Sequence, residues 1–343
     1  MRVVYGGKSI DLADTVRQIL RPDRKQLYDP WFESYHQWFG EDRKVDRYVR
    51  YLKTLLAQAG VQLEGASVLD AGCGFGLTAL FLNLLGAGEV HGLDCHAGMI
   101  RTFNAYLTFL PYDLRTYPCL GDVAEMPYAD GAFDLVLSIE AVSHYRHWPQ
   151  FLAEAARVLR PGGTLVIADS NNRRHRRTVR RTHRIWAAFE NGPPTENIFG
   201  HRVTTPFVAK RLEMLENAYP NLSVDELDEL SRQTSGLWGK HVLVAADAYV
   251  ARGVWPNSRW DGRSCPLDPT SGCYIENLLD PLELVDRLRR LGLRAWARAY
   301  FGGARGGVVQ LANRLMTPPA LSVTTLLLSS AYRVFARRQD DAE

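Results

Sequence analysis

The sequence predicts a doubly wound α/β domain, and three observations predict it. An apolar run at 66–69 ends in Asp70 and passes through glycines at alternate positions, Gly72, Gly74 and Gly76, into a helical stripe of Leu77, Ala79, Leu80, Phe81 and Leu84. That order is strand, tight glycine turn, helix. Strands then alternate with helical patterns as far as Asp169, the signature of βαβ units. After about a hundred residues without such alternation, a helix–strand pattern resumes near 276.

The elements follow in order. Residues 1–60 read as a helical preface: Asp23 to Phe39 carries Leu27, Tyr28, Trp31, Phe32, Tyr35, Trp38 and Phe39 at helical spacings, and Asp42 to Ala59 carries Val45, Val49, Leu52, Leu55 and Leu56 before Gly60. The aromatic stripe serves either as packing on the sheet or as a lid that brings Tyr35 to the ligand. Val90 to Asp94 reads as a strand ending in an acid. Ala132 to Glu140 is another strand, and Pro149 opens a helix striped by Phe151, Leu152, Ala155, Val158 and Leu159. Pro161-Gly162-Gly163 is expected to end it in a turn before a strand over Thr164 to Asp169.

From 173 to 275 the chain reads as an inserted, helical, substrate-recognition region. Ser223-Val224-Asp225-Glu226 is a capping box, His241 to Val250 a helix, and 256–272 a turn-rich stretch. Asp280-Pro281-Leu282-Glu283 starts a helix that Gly292 stops. Arg294 to Phe301 and Tyr332 to Ala336 read as strands, with short helices over Val308 to Leu315 and Ala320 to Leu328 between them. The expected organisation is therefore a lid at 1–60, a core at 61–172 and 276–340, and an insertion at 173–275.

Composition bounds the function. At 343 residues, 46% hydrophobic and 23% charged, the chain has material for an ordinary globular core. A net charge of +3 gives no general argument for nucleic acid. Five scattered cysteines, an odd number, argue against a disulfide framework, and Cys265 and Cys273, though close in sequence, lack the partners of a four-ligand metal site. No metal is expected. The N-terminus lacks the apolar centre of a signal peptide, and the most apolar stretch, Ala320 to Ser330, is about half a membrane span. A cytoplasmic location is expected, with peripheral membrane contact left open.

The glycine turn suggests its ligand. Glycines let the backbone approach closely, and a new helix presents N–H groups to the same spot. Asp70 adds a negative charge that would repel a dinucleotide pyrophosphate and hold an ammonium. The loop suits a zwitterionic amino-acid end.

Val68-Leu69-Asp70-Ala71-Gly72-Cys73-Gly74-Phe75-Gly76 resembles motif I of the class I S-adenosylmethionine-dependent methyltransferases. Val90 to Asp94, Gly121-Asp122-Val123-Ala124, Ala132 to Glu140, and Arg157 to Asp169 are similar to later motifs in the family's order. The resemblance implies a seven-stranded Rossmann-like sheet and S-adenosylmethionine as cofactor. It assigns Asp70, Gly72, Cys73, Gly74 and Gly76 to the methionine end, Asp94 to the ribose, Cys95 and Met99 to the adenosine, Asp122, Val123 and Ala124 to the adenine, and Ile139 and Glu140 to the tip of the fourth strand. The order of elements, with Tyr274 to Asn277 before Asp280, looks similar to the type 11 small-molecule branch that includes quinone-biosynthesis enzymes.

Methyl transfer from a sulfonium asks mainly for alignment, so a general base is needed only where the acceptor must lose a proton. His144, Tyr145 and Asp169 are the catalytic candidates. His144 either moves protons or supports its loop, Tyr145 acts as base or orienting group, and Asp169 either faces the acceptor or caps the next helix. Beyond them, Arg173, Arg174, Arg176, Arg177, Arg180, Arg181 and Arg184 fall within an arc of ~160° on a helix, with Val179, Thr182, Ile185, Trp186 and Phe189 opposite. This face is a solvated surface, a recognition site for substrate phosphate or carboxylate through Arg177 and Arg181, or a docking face for anionic membrane or nucleic acid, of which nucleic acid is not expected. The function read here is methyl transfer to a small acceptor, anionic or lipid-like. A nicotinamide-dependent oxidoreductase is the alternative, against which the alternate glycine spacing argues, and a non-catalytic module that binds the same cofactor is a third reading. Oligomeric state and acceptor atom are not legible.

Overall fold

A computed structural model describes residues 1–32, 39–301, 313 and 322–339. The chain opens with a hairpin, β1 (Arg2–Tyr5) and β2 (Lys8–Asp11), not with a helix. Gly6 and Gly7 both take positive φ, the geometry a tight two-residue hairpin turn requires. Helix α1 (Leu12–Ile19) follows, capped by Asp11. The helix expected from Asp23 is replaced by a 3₁₀ turn over Pro22–Leu27 and an extended Tyr28, and Pro30 disfavours helix at the residue before it. The Tyr35 expectation lies outside the described residues, as does nearly all of the Val308 to Leu315 helix. Helix α2 (Asp42–Ala59) ends at Gly60 in the left-handed conformation, as its pattern requires.

The main sheet holds seven strands in the order β10-β11-β7-β6-β3-β4-β5. They are β3 (Ser67–Ala71), β4 (Glu89–Asp94), β5 (Thr116–Leu120), β6 (Phe133–Ile139), β7 (Leu159–Asp169), β10 (Leu293–Tyr300) and β11 (Ala331–Arg338). The first five run parallel, and β11 is antiparallel to both of its neighbours. Helices α3 (Leu77–Leu84), α4 (Ala97–Leu107) and α5 (Trp148–Val158) make the crossovers. The expected turn at Pro161-Gly162-Gly163 is instead part of β7, where the register jumps from Phe133↔Leu159 to Leu135↔Thr164. The extra residues are absorbed as a bulge, which Gly162 permits with φ +75.

Alternate faces of the strands feed separate apolar layers. Val68, Leu137, Val166 and Phe335 pack with α1, α2 and α3, whereas Leu69, Val136, Leu165 and Val334 pack with α5 and the helix before β10. This is the doubly wound arrangement. The stretch after β7 holds α6 (Arg176–Asn191), a hairpin of β8 (Thr195–Ile198) and β9 (His201–Val203), then α7 (Phe207–Ala218), α8 (Val224–Gln233) and α9 (Lys240–Arg252). Leu215, Leu227, Leu230, Val242 and Ala246 give it a small core of its own. The expected capping box opens α8. Helix α10 (Pro281–Arg290) returns the chain to the sheet, and a short α11 (Ser322–Thr325) precedes β11.

Candidate active site

The strand order reverses between β3 and β6, and ligands of open α/β sheets bind at the carboxyl ends of strands flanking such a reversal. Here the crevice lies between the glycine turn after β3 and the tip of β6. Gly72, Gly74 and Gly76 have φ of +71, +55 and +74. At Gly72 space also demands glycine, because an added Cβ would sit 2.4 Å from Tyr145 Oη and 2.7 Å from Ala141 Cβ. The N–H groups of Gly72 and Cys73 donate to Leu93 O at 2.8 and 3.1 Å, and Gly74 N–H donates to Asp94 Oδ2 at 2.9 Å. Three of the turn's amides are thus spent on anchoring the loop to β4 instead of pointing at a ligand. Asp94 Oδ1 takes His96 N–H at 2.8 Å.

Asp70 is the exception to this local satisfaction. Its side chain is 2% exposed and Oδ2 has no hydrogen-bond partner. Burial, with the neighbouring Asp94 charge, pushes its carboxyl up to about 7. An unpaired buried carboxylate is costly unless a cation meets it.

Glu140 ends β6 in the left-handed region, φ +50, a strained conformation for a residue with a side chain. Its Oε2 accepts from Ser170 Oγ at 2.6 Å. Although the side chain is open to solvent, the surrounding protein desolvates it, and Asp169 and Glu276 add like charge, so it is pushed up to about 8. Ile139 packs against the apolar layer beneath. Cys73 is buried, which holds its thiol well above the usual range.

The residues expected on the adenosine side lie on α4 and at the carboxyl ends of β4 and β5. Met99 is half-buried on α4, and Asp122 Oδ1 accepts Ala124 N–H at 2.8 Å, folding the 122–124 loop around a buried Val123. Cys95 is exposed and its thiol lies beside that of Cys273, a proximity that raises Cys95 and lowers Cys273. The loop ending the insertion therefore reaches the tip of β4. From the other side the N-terminal segment arrives: Phe32 meets Phe75 edge-on at 4.9 Å, and Asp29 N–H donates to Thr102 Oγ1 at 2.8 Å.

Of the catalytic candidates, Tyr145 donates its hydroxyl proton to Ala71 O at 2.7 Å, with Ser138 Oγ 3.1 Å away. Burial raises it well above 10, so it ties the glycine turn to β6. Asp169 is 1% exposed and accepts the N–H groups of Asn171 and Ser143 at 2.9 and 3.2 Å. It fixes the turn that carries His144. Burial raises the Asp169 carboxyl, an effect that the His144 charge opposes. His144 is exposed, with Nδ1 3.4 Å from Tyr274 O.

The two arginine candidates part company. Arg177 is exposed on the outer face of α6, whereas Arg181 is half-buried with an unpartnered Nε and stands close enough to Glu276 to help lower it. Glu276 and His201 escaped the sequence reading. His201 Nε2 lies 3.3 Å from Glu276 Oε1, and Glu276 Oε2 is buried without a partner. Burial would raise Glu276, but its bond to His201 and the charges of His201, His144 and Arg181 outweigh that and lower it. The only sequence signal was Glu276 itself, just before Asp280-Pro281; His201 lies in a hairpin that no pattern marked.

The profile of the family described as "Methyltransferase domain" matches residues 69–167, the stretch from the glycine turn to the end of β7. Residues 69–167 are thus similar to methyltransferase domains. The domain is 37% identical over 110 residues to phthiotriol/phenolphthiotriol dimycocerosates methyltransferase 1 of Mycobacterium ulcerans, covering 32% of this chain and 39% of that protein. It is 30% identical over 141 residues to 27-O-demethylrifamycin SV methyltransferase of Amycolatopsis mediterranei, covering 40% of this chain and 52% of that protein. The chain thus spans about two-fifths to half the length of these curated relatives. Among solved structures, an S-adenosylmethionine dependent methyltransferase from Mesorhizobium loti aligns with 83% of this chain and 96% of its own, at 18% identity and a TM-score of 0.44. Among the described residues the methyltransferase domain and its insertion contain no group of three or more potential metal ligands, and no helix long and apolar enough to cross a membrane.

Proposed function

We propose that this chain transfers a methyl group from S-adenosylmethionine to a small acceptor of lipid-like or anionic character. The observation that carries this reading is Asp70 Oδ2, a buried oxygen without a partner at the start of a turn whose Gly72 lets Tyr145 and Ala141 pack closely against the main chain. An ammonium there would satisfy the orphaned carboxylate. Asp94 holds the ribose end, the 122–124 loop with Cys95 and Met99 encloses the adenosine, and Ile139 and Glu140 bound the crevice from β6. When bound, S-adenosylmethionine supplies a methyl group already activated by positive sulfur. The protein's own task is orientation and exclusion of water.

His144 receives the acceptor's proton where the acceptor is a hydroxyl. Asp169 positions it through the Ser143 amide, and Asp169 and Glu276 offset the positive charge it gains. Tyr145 keeps the glycine turn in register with β6. Arg181, beside Glu276, borders the acceptor side, and Arg177 stands further out. The hydroxyl acceptor is favoured by the relative whose printed name specifies O-demethylrifamycin. The named relatives are methyltransferases, and none favours the nicotinamide reading.

Calorimetry with S-adenosylmethionine and its demethylated product, followed by mass spectrometry of an extract incubated with protein and cofactor, tests the proposal. One metabolite should gain a methyl group as the demethylated cofactor accumulates. No heat of binding from folded protein would overturn it.

A further inference from the structure

Helix α6 leaves the sheet at the same carboxyl edge as the crevice and keeps one face outward. Arg173 in the preceding turn, and Arg176, Arg177, Arg180 and Arg184 along the helix, are exposed. Thr178, Thr182, Ile185, Trp186 and Glu190 bury the opposite side. Arg174, at the edge of the face, is paired with Asp280 at 2.9 Å, but among the described residues none of the five exposed arginines forms an ion pair. Like charges three and four residues apart repel, so this face is unfavourable until an anion covers it.

A second observation adjoins the first. Asn172 Nδ2 donates to the carbonyls of Leu326 and Ser329 at 2.7 and 2.8 Å, which fastens the turn between them beside the start of the arginine face. Leu327 and Leu328 on that turn are 49% and 64% exposed. Single exposed leucines are ordinary. Two together, on a turn that a buried asparagine ties to the start of a basic face that lacks counter-charge, match the pairing of cations and aliphatic side chains that holds proteins at a bilayer surface.

We propose that this face docks on an anionic lipid bilayer, with the arginines on phosphate headgroups and Leu327 and Leu328 in the boundary beneath them. Guanidinium forks suit phosphate oxygens, and the leucines select a bilayer over a free anion or a nucleic acid, neither of which offers them an apolar phase. The same helix carries Arg181 to the rim at Glu276, so docking and acceptor entry share one edge of the molecule. Docking does not depend on methyl transfer, and a catalytically dead protein would still dock.

Co-sedimentation of the full chain with vesicles tests this directly. Vesicles of phosphatidylglycerol mixed with phosphatidylcholine should bind, pure phosphatidylcholine should bind far less, and binding to the anionic vesicles should weaken as salt rises. The Arg176→Gln, Arg180→Gln, Arg184→Gln triple variant should lower the partition coefficient on the order of a hundredfold, each charge at such a surface being worth about fivefold. Leu327→Ser with Leu328→Ser should lower it by about tenfold while leaving the salt dependence intact. An unchanged thermal midpoint shows each variant folded, and the salt titration of the native chain stands without any variant. Equal binding to neutral and anionic vesicles, a folded triple variant that binds like the native chain, or tighter retention on duplex DNA than on vesicles at the same salt would each overturn the proposal.

Discussion

Asp70 should couple cofactor affinity to pH. Its carboxyl is held near 7 in the fold against about 4 in an unfolded chain, so between those values the folded protein keeps a proton that the unfolded chain has lost. The Asp70 contribution to stability is therefore greatest below about pH 4 and is withdrawn as pH rises to about 7. An arriving ammonium needs the charged form. Affinity for S-adenosylmethionine should fall about tenfold per unit as pH drops below about 7, and level off above it. Asp70→Asn should abolish that dependence, weaken binding by about tenfold to a hundredfold, and raise the thermal midpoint of the ligand-free protein above pH 7. Titration calorimetry across pH, paired with thermal melts, reads all three.

Two further residues separate geometry from chemistry. Gly72→Ala places a Cβ against Tyr145 Oη and Ala141 at a positive φ, so cofactor binding should be lost even if the fold survives. His144→Ala should leave cofactor affinity unchanged and lower kcat by about a hundredfold or more if the acceptor is a hydroxyl. An equal loss in cofactor binding would assign His144 to loop support instead. That distinction was already open in the sequence, where the loop could be located but the bonding of its side chains could not.

Among elements, α10 shows how one residue serves two interfaces. Asp280 caps the helix through Leu282 N–H at 2.9 Å and pairs with Arg174 at the start of the arginine segment. Asp280→Ala removes both, and chemical denaturation should report a loss of about 1–2 kcal/mol. Its cap was readable because Asp-Pro before a helical stripe has few other meanings. The bulge in β7 was not readable. Pro161-Gly162-Gly163 has the composition of a turn, and only the pairing of β6 with Leu159 before it and Thr164 after it draws it into the sheet as a bulge. The opening hairpin was missed for a similar reason: four-residue strands leave too little alternation to outweigh the helical patterns beyond them.

At the scale of the whole molecule, three separate lengths of chain close on one crevice. The glycine turn and the β6 tip form its floor, Phe32 and Asp29 approach from the N-terminal segment, and Cys273, Tyr274 and Glu276 approach from the end of the insertion. A ligand gripped by all three should tighten them together. S-adenosylmethionine at a hundredfold its Kd should stabilise the protein by about 2.7 kcal/mol, visible as a raised melting temperature. Hydrogen exchange should slow at 28–32 and 272–279 as well as in the glycine turn; protection confined to the turn would show that the flanking segments do not close on the ligand.

The sequence by itself determined the parallel core and the glycine turn with its acid at the strand tip, because these depend on short-range patterns: two-residue alternation, helical stripes and residues that only certain backbone conformations accept. Tertiary structure alone decided which turn amides are spent on Leu93 and Asp94, that Tyr145 serves Ala71, and that Glu276 meets His201 and Arg181. Those partners are brought together by folding across twenty to ninety-five residues of chain, and no local preference encodes a contact whose energy exists only once both ends have been packed against the same sheet.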